Sequence, residues 1–369
     1  MPPLSPYFVF GHFDELPGWH EDDCRAAFAA FRRSAVHVLS KPYRTGGLGV
    51  DFAAFEAVYA EARVAEVADG AQARAFFERH FVPARIAAED GGRGFVTGFY
   101  EPEVSASPVR TADFTVPLLA RPDDLVDVDD ANRPAGFDPY LAFGQKTEAG
   151  IKPYFDRQAI EQGALDAGKL AIAWVAGKVE AFFIHVQGAA RLIMPDGTTR
   201  RVSYAAKSGH RFTGPGGILA DLGEIPLEKV TMQSIRAWFS QNPDRIDEIL
   251  WRNRSFIFFR EATVDDPALG PVAAAKVPLT PGRSMAVDRL LHTFGTPFFI
   301  HAPDLTAFGG EPFRRLMIAQ DTGSAIVGPA RGDLFAGSGD AAGEIAGVVR
   351  AKADFFALIP RSLAMGIRQ

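Results

Sequence analysis

Two aspartates, Asp321 and Asp333, are the residues of this chain best placed by type and spacing for acid–base chemistry. They stand twelve positions apart in the stretch LMIAQDTGSAIVGPARGDLFAGSG, from Leu316 to Gly339. The apolar run Leu316-Met317-Ile318-Ala319 has the character of a buried strand and ends at Asp321. Gly323 and Ser324 loosen the backbone, Ile326-Val327 resumes the apolar pattern, and Gly328-Pro329 breaks it again. Arg331-Gly332-Asp333 then delivers the second carboxylate just before Leu334-Phe335. The pattern predicts strand, loop, strand, turn, with one tight turn bringing two strand-edge carboxylates together. A neighbour's charge and apolar walls would raise the pKa of one of them, as a general acid at neutral pH requires. The competing reading is that both are turn formers bonded to their own backbone.

Three local signatures in this stretch do not carry weight. Asp321-Thr322-Gly323-Ser324 is the signature of an aspartic protease, but that chemistry needs a second such carboxylate, and no other Asp-Thr/Ser-Gly occurs in the chain. Arg331-Gly332-Asp333 as an adhesion tripeptide is too short to specify anything. Gly337-Ser338-Gly339 lacks the Lys-Ser/Thr that a phosphate loop needs.

The elements around these residues read as helices first and short strands later. Three helices are expected between residues 21 and 87: one opened by Asp22-Asp23 and carrying Cys24, Ala27, Phe28, Phe31 and Val36, one capped by Asp51 with Phe52, Phe55, Val58 and Tyr59, and one through Ala75, Phe76, His80 and Phe81 that Pro83 helps to end. At Gly91 the period changes, and Gly92 to Pro102 reads as a strand whose glycines admit a close neighbour and which Pro102 stops. Residues 105 to about 150 are loop-heavy. Strands are then expected at Ile172-Val175, Ala181-Val186, Arg191-Met194 and Arg201-Tyr204, the last two joined by an Asp196-Gly197 hairpin turn. Gln187-Gly188 is either a bulge or a ligand contact. A Gly-Pro loop is expected at Gly214–Gly217, and after it one long helix, or two joined near Asn242-Pro243, through Met232, Ile235, Trp238 and Phe239 and then Ile246, Ile249 and Leu250. After a strand at Ser255–Arg260 and a linker at Glu261–Gly270, short strands are expected at Val277–Ser284, Phe298–His301, the opening stretch, and Phe355–Ile359. Many short strands separated by Gly and Pro favour a barrel.

Composition narrows the class. The chain has 369 residues, enough for two domains or one with an insertion, and 47% apolar content is ample for cores without staples. A net charge of −6 with interspersed signs gives no attraction to nucleic acid. Phe, at 31, far outnumbers Tyr, at 7, which reads as core filling before sugar-stacking surface. One cysteine, Cys24, excludes an intramolecular disulfide and a Cys-based zinc site. His185, His210, His292 and His301 are scattered and read as structural or surface residues, so neither metal nor cofactor is expected. No signal peptide is visible at the N-terminus, and no apolar run approaches the ~18 residues of a spanning helix. Cys24 follows Asp22-Asp23 rather than a small apolar box, so it does not read as a lipid-attachment site.

Six pieces of the chain, in this order, resemble the lytic murein transglycosylase A family: Phe95–Pro102, Val179–Gly188, Ser203–Gly209, Met232–Trp238, Val277–Asp288 and Ala319–Ile326. The resemblance implies a mainly β fold with N-terminal helices (α+β). A double-psi β-barrel domain would be made of residues 1–104 and 266–369, and a second β-barrel-like domain of residues 105–265 would be inserted into it. Glycan would lie in the groove between them. By the same resemblance Asp333 is the catalytic residue, Asp321 its neighbour and orienter, and Thr97, Tyr100, Gln187, Lys207, Gln233, Gly323, Ser324 and Ala325 are glycan contacts. Two departures stand out: Ser324 replaces a glycine common in the family pattern, and the Gly-Pro-Ala-Arg-Gly turn makes the spacing of the aspartates one residue longer than in some members.

The activity so implied is non-hydrolytic cleavage of the β-1,4 bond between N-acetylmuramic acid and N-acetylglucosamine, leaving a 1,6-anhydro end. Its partners would be peptidoglycan strands and other cell-wall enzymes, and the protein itself would be a monomer in the periplasm, with outer-membrane association in the full-length protein. Two other functions fit the same residues: a glycan hydrolase in which Asp321 or Glu101 activates water, and a carbohydrate-binding module in which Phe99 and Tyr100 stack on sugar.

Overall fold

The computed structural model describes residues 4–365. The chain divides into two compact units, one of Met1–Tyr100 with Val264–Gln369 and one of Glu101–Thr263. In the first unit a short strand β1 (Phe8–Phe10) leads to helices α1 (Arg25–His37), α2 (Glu56–Val64) and α3 (Gly70–His80), followed by β2 (Phe81–Ile86) and β3 (Gly94–Glu101). The three expected helices are present, with changed ends. Asp51 caps a 3-10 turn, Phe52–Phe55, that runs into α2, its carboxylate accepting from Ala53 N at 3.3 Å. Asp22 does not open α1. It is buried instead, accepting from Leu316 N at 2.8 Å and pairing with Arg283 at 2.7 Å, because a carboxylate facing a buried guanidinium gains more than a solvated cap. Pro83 does not end α3 either; the helix stops at His80 and Pro83 lies within β2.

The second unit opens with β4 (Glu103–Ser107), β5 (Val116–Leu119), β6 (Leu125–Asp127), β7 (Phe143–Thr147) and β8 (Gly150–Lys152), and continues with β9 (Ala171–Val175), β10 (Ala189–Ile193), β11 (Thr199–Lys207) and β12 (Ile257–Ala262). Six of these form one sheet in the order β12-β11-β10-β4-β9-β5, and a bridge from Ala120 to Phe259 draws its two edges together in barrel-like fashion. The β10–β11 hairpin forms at Asp196-Gly197 as expected. The expected strand Ala181–Val186 is instead the middle of a helix, Lys178–Gln187. Apolar residues on every side made it read as a strand, and a short apolar run cannot separate a buried strand from a buried helix. Gln187-Gly188 is therefore a helix end and not a bulge: Gly188 sits at φ 74°, the left-handed cap that only glycine adopts cheaply. A further short helix, Pro215–Asp221, occupies what reads as a Gly-Pro loop.

The chain returns to the first unit through β13 (Ser284–Val287), β14 (Pro297–Ala302), β15 (Phe313–Asp321), β16 (Arg331–Ser338) and β17 (Arg350–Pro360), with a helix Asp340–Val348 between the last two. The ring β17-β14-β15-β13-β16-β3 closes on itself through the β17–β3 pairing, and this six-stranded barrel is the expected double-psi core. Val277–Ser284 is not a strand up to Ser284, since Pro278 and Pro281 remove the donors a ladder needs. Ile326-Val327 is loop, so the second strand of the opening stretch begins only at Arg331. Phe28, Phe31, Phe76, Phe77 and Phe81 interlock at ring distances of 4.9 to 6.4 Å under the barrel, which is where part of the phenylalanine excess goes.

Candidate active site

The aspartates meet through a strand between them and not through a tight turn. β13 runs parallel to β15 and antiparallel to β16, and its Ala286 is the register partner of Asp321 on one side and of Asp333 on the other. Directly opposed residues on neighbouring strands share a face, so both carboxyls flank the small Ala286 side chain at one level of the sheet. The loop of residues 322–330 only carries the chain across that middle strand.

Both carboxyls are half-buried, and both are pushed up. Burial is the main cause at Asp321, which rises to about 6. The backbone N–H groups of Thr322 and Ala274 oppose that rise, the charge of Asp333 adds to it, and Lys276 reduces it. At Asp333 burial again raises the pKa, against the Thr97 hydroxyl and the Arg331 charge. The neighbour's charge is thus felt at Asp321. Thr97 Oγ1 on β3 donates to Asp333 Oδ1 at 2.5 Å, and Arg331 Nη2 donates to Thr97 Oγ1 at 2.7 Å. Ala274 N donates to Asp321 Oδ1 at 3.1 Å.

β3 can pass this close because of its glycines. A Cβ on Gly98 would lie 2.9 Å from Ala346 Cα and 2.9 Å from Val349 Cβ, so the close neighbour expected from the sequence is the protein's own Asp340–Val348 helix and the residue just after it. The Tyr100 ring packs against Gly343 of the same helix.

The structure gathers Thr97, Asp321 and Asp333 in the first unit, with Gly323, Ser324 and Ala325 exposed in the loop that leaves Asp321. Gln187, Lys207 and Gln233 lie on three elements of the second unit: the end of the Lys178–Gln187 helix, the end of β11, and the first turn of the Met232–Gln241 helix. Arg331 is the site residue that reading the sequence passed over. The signal was present, since Arg331 and Asp333 are two apart in a strand and must share a face.

Of the residues the two alternative functions call on, Asp321 stands in the site, but Glu101, Phe99 and Tyr100 are engaged elsewhere. Glu101, proposed to activate water, is fully buried and held by Arg191 at 3.0 Å and Arg201 at 3.4 Å. Phe99 and Tyr100, proposed to stack on sugar, are only 8% and 6% exposed, and Phe99 packs on Phe335 at 5.2 Å. The histidines take structural partners: His185 accepts at Nδ1 from Ile257 N, His210 and His292 reach the carbonyls of Tyr154 and Pro329, and His301 meets Asp354. Among the described residues no group of three or more His, Cys, Asp or Glu could hold a metal ion.

Comparison with known proteins agrees with this architecture. Residues 95–260 match the MltA specific insert domain, and residues 283–359 match the 3D domain. The membrane-bound lytic murein transglycosylase A of Escherichia coli K12 is 31% identical over 266 residues, covering 70% of this chain and 64% of that protein. The chain therefore spans just under two thirds of that curated relative's length. The crystal structure of a membrane-bound lytic murein transglycosylase from Agrobacterium tumefaciens superposes with a TM-score of 0.92 at 52% identity, covering 97% of this chain and 99% of that one. MltA from Neisseria gonorrhoeae superposes with a TM-score of 0.76 at 32% identity, covering 96% and 92%. With half its residues identical to the Agrobacterium enzyme along nearly the whole length of both chains, this chain belongs to the lytic murein transglycosylase A family.

Proposed function

We propose that the protein is a peptidoglycan lytic transglycosylase, cleaving the β-1,4 bond between N-acetylmuramic acid and N-acetylglucosamine with Asp333 as the single acid and base. The observation that carries this reading is the carboxyl pair across Ala286. Burial raises both carboxyls, so that Asp333 retains a proton above the usual aspartate range. Delivered from Asp333 to the glycosidic oxygen, that proton lets the bond break as positive charge develops at C1 of the muramic residue, where the Asp321 charge steadies it. The Asp333 carboxylate then takes the proton of the C6 hydroxyl as O6 closes on C1. The proton balance is complete without water, and the product is the 1,6-anhydro end.

The glycan contacts proposed alongside are Gly323, Ser324 and Ala325 in the first unit and Gln187, Lys207 and Gln233 in the second, Tyr100 being buried and Thr97 held between Asp333 and Arg331. Such a substrate sets the place of action in the periplasm. The relatives are named as membrane-bound, whereas no helix among the described residues is long and apolar enough to cross a membrane. Mass spectrometry of products from purified sacculi tests the reading: an anhydro end is lighter by one water than a hydrolysed one. Asp333→Asn is expected to abolish turnover while glycan binding persists. Near-normal turnover in that variant, or a reducing-end product from the unaltered protein, would refute it.

A further inference from the structure

The hydrogen bonds around Asp333 have a direction, and that direction starts at Arg331. Arg331 stands two residues before Asp333 on β16, on the same face. Its guanidinium lies over the Phe95 ring at 5.5 Å, donates through Nη1 to Gly332 O, and donates through Nη2 to Thr97 Oγ1. Arginine has no acceptor, so at this contact Thr97 can only accept. A threonine hydroxyl has one hydrogen, and it is committed to Asp333 Oδ1. In this arrangement Oδ1 is the acceptor oxygen of the carboxyl, and a proton placed there would have to turn the Thr97 hydrogen away. Among the described residues no group hydrogen-bonds to Oδ2.

We propose that Arg331 is a positioning residue for the reaction: by orienting the Thr97 hydroxyl it reserves Oδ1 of Asp333 as an acceptor and confines the acidic proton to Oδ2. This rests on Asp333 being the acid. The Oδ2–H bond breaks as the glycosidic oxygen gains its proton, and the same Oδ2 receives the proton of the C6 hydroxyl when the ring closes. One oxygen thus serves both steps, and the carboxyl need not rotate between them. The Thr97 bond strengthens while Asp333 is ionised, which favours the state between the two transfers.

The test uses the full chain on purified peptidoglycan, with kcat and KM followed across pH for Arg331→Met, Arg331→Lys, Thr97→Val and Thr97→Ser. Arg331→Met and Thr97→Val are expected to lower kcat by about tenfold or more, within the range a misplaced general acid costs, with KM within about twofold. In both, the fall of kcat at high pH moves to higher pH, since each variant removes an influence that holds Asp333 down. Arg331→Lys and Thr97→Ser keep the donor and the hydroxyl, and are expected to recover most of kcat. The double variant should lose little more than the worse single one, because both act through one bond. Unchanged kcat with an unshifted profile, a loss confined to KM, or independent additive losses would overturn the inference. If Arg331→Met does not fold, the Thr97 pair and Arg331→Lys decide it. Asp333→Asn run alongside separates the two failures: turnover in that variant removes the acid assignment itself, whereas an inactive Asp333→Asn beside a normal Arg331→Met removes only the role of Arg331.

Discussion

Replacing Asp321 with asparagine should stabilise the protein above neutral pH and leave it unchanged in acid. In the fold its carboxyl titrates at about 6, against 3.8 when unperturbed. A raised carboxyl favours the protonated form in the folded state, so its contribution is fully present below about pH 4. It is lost as the pH rises through 6 and absent above about 7. The difference of about 2 units corresponds to roughly 3 kcal/mol. An asparagine keeps an oxygen to accept from Ala274 N and carries no charge to bury, so it does not suffer this loss. For a barrel unit of about 200 residues, 3 kcal/mol amounts to a rise in melting temperature of roughly 6 to 12 °C at pH 8 and none at pH 4. The assay is calorimetry at both pH values with the transitions of the two units resolved, since two units need not melt as one. A gain of equal size at both pH values, or no gain at pH 8, would refute the buried-charge account. The same variant should turn over peptidoglycan more slowly, the usual exchange between stability and a strained site.

Glu101→Gln should cost the inserted unit about 3 kcal/mol in denaturant unfolding, because it leaves two guanidiniums without their shared counter-charge. The activity of the folded fraction should stay near normal; a kcat collapse without loss of stability would instead give Glu101 a part in the chemistry. Gly98→Val should destabilise the barrel unit by about 2 kcal/mol or more, since its side chain would enter space held by Ala346 and Val349. Thermal melting reads this directly, and a wild-type melting temperature would mean that the Asp340–Val348 helix can move aside.

The sequence by itself determined much of the local structure. Apolar residues at helical spacing set the three N-terminal helices, Asp196-Gly197 set the β10–β11 turn, and the order of six motifs set the family. These are matters of short-range periodicity, turn chemistry and pattern, all written in contiguous residues. It misread Lys178–Gln187, where burial on every side erases the period that separates helix from strand. It also placed Asp321 and Asp333 on neighbouring strands joined by a turn. Only the tertiary structure put β13 between them, because the partner of a strand in a barrel is chosen by long-range closure and not by the loop that follows it. That choice made Ala286 the spacer of the two carboxyls, brought Thr97 to Asp333 from more than two hundred residues away, and gave Arg331 a hydroxyl to hold.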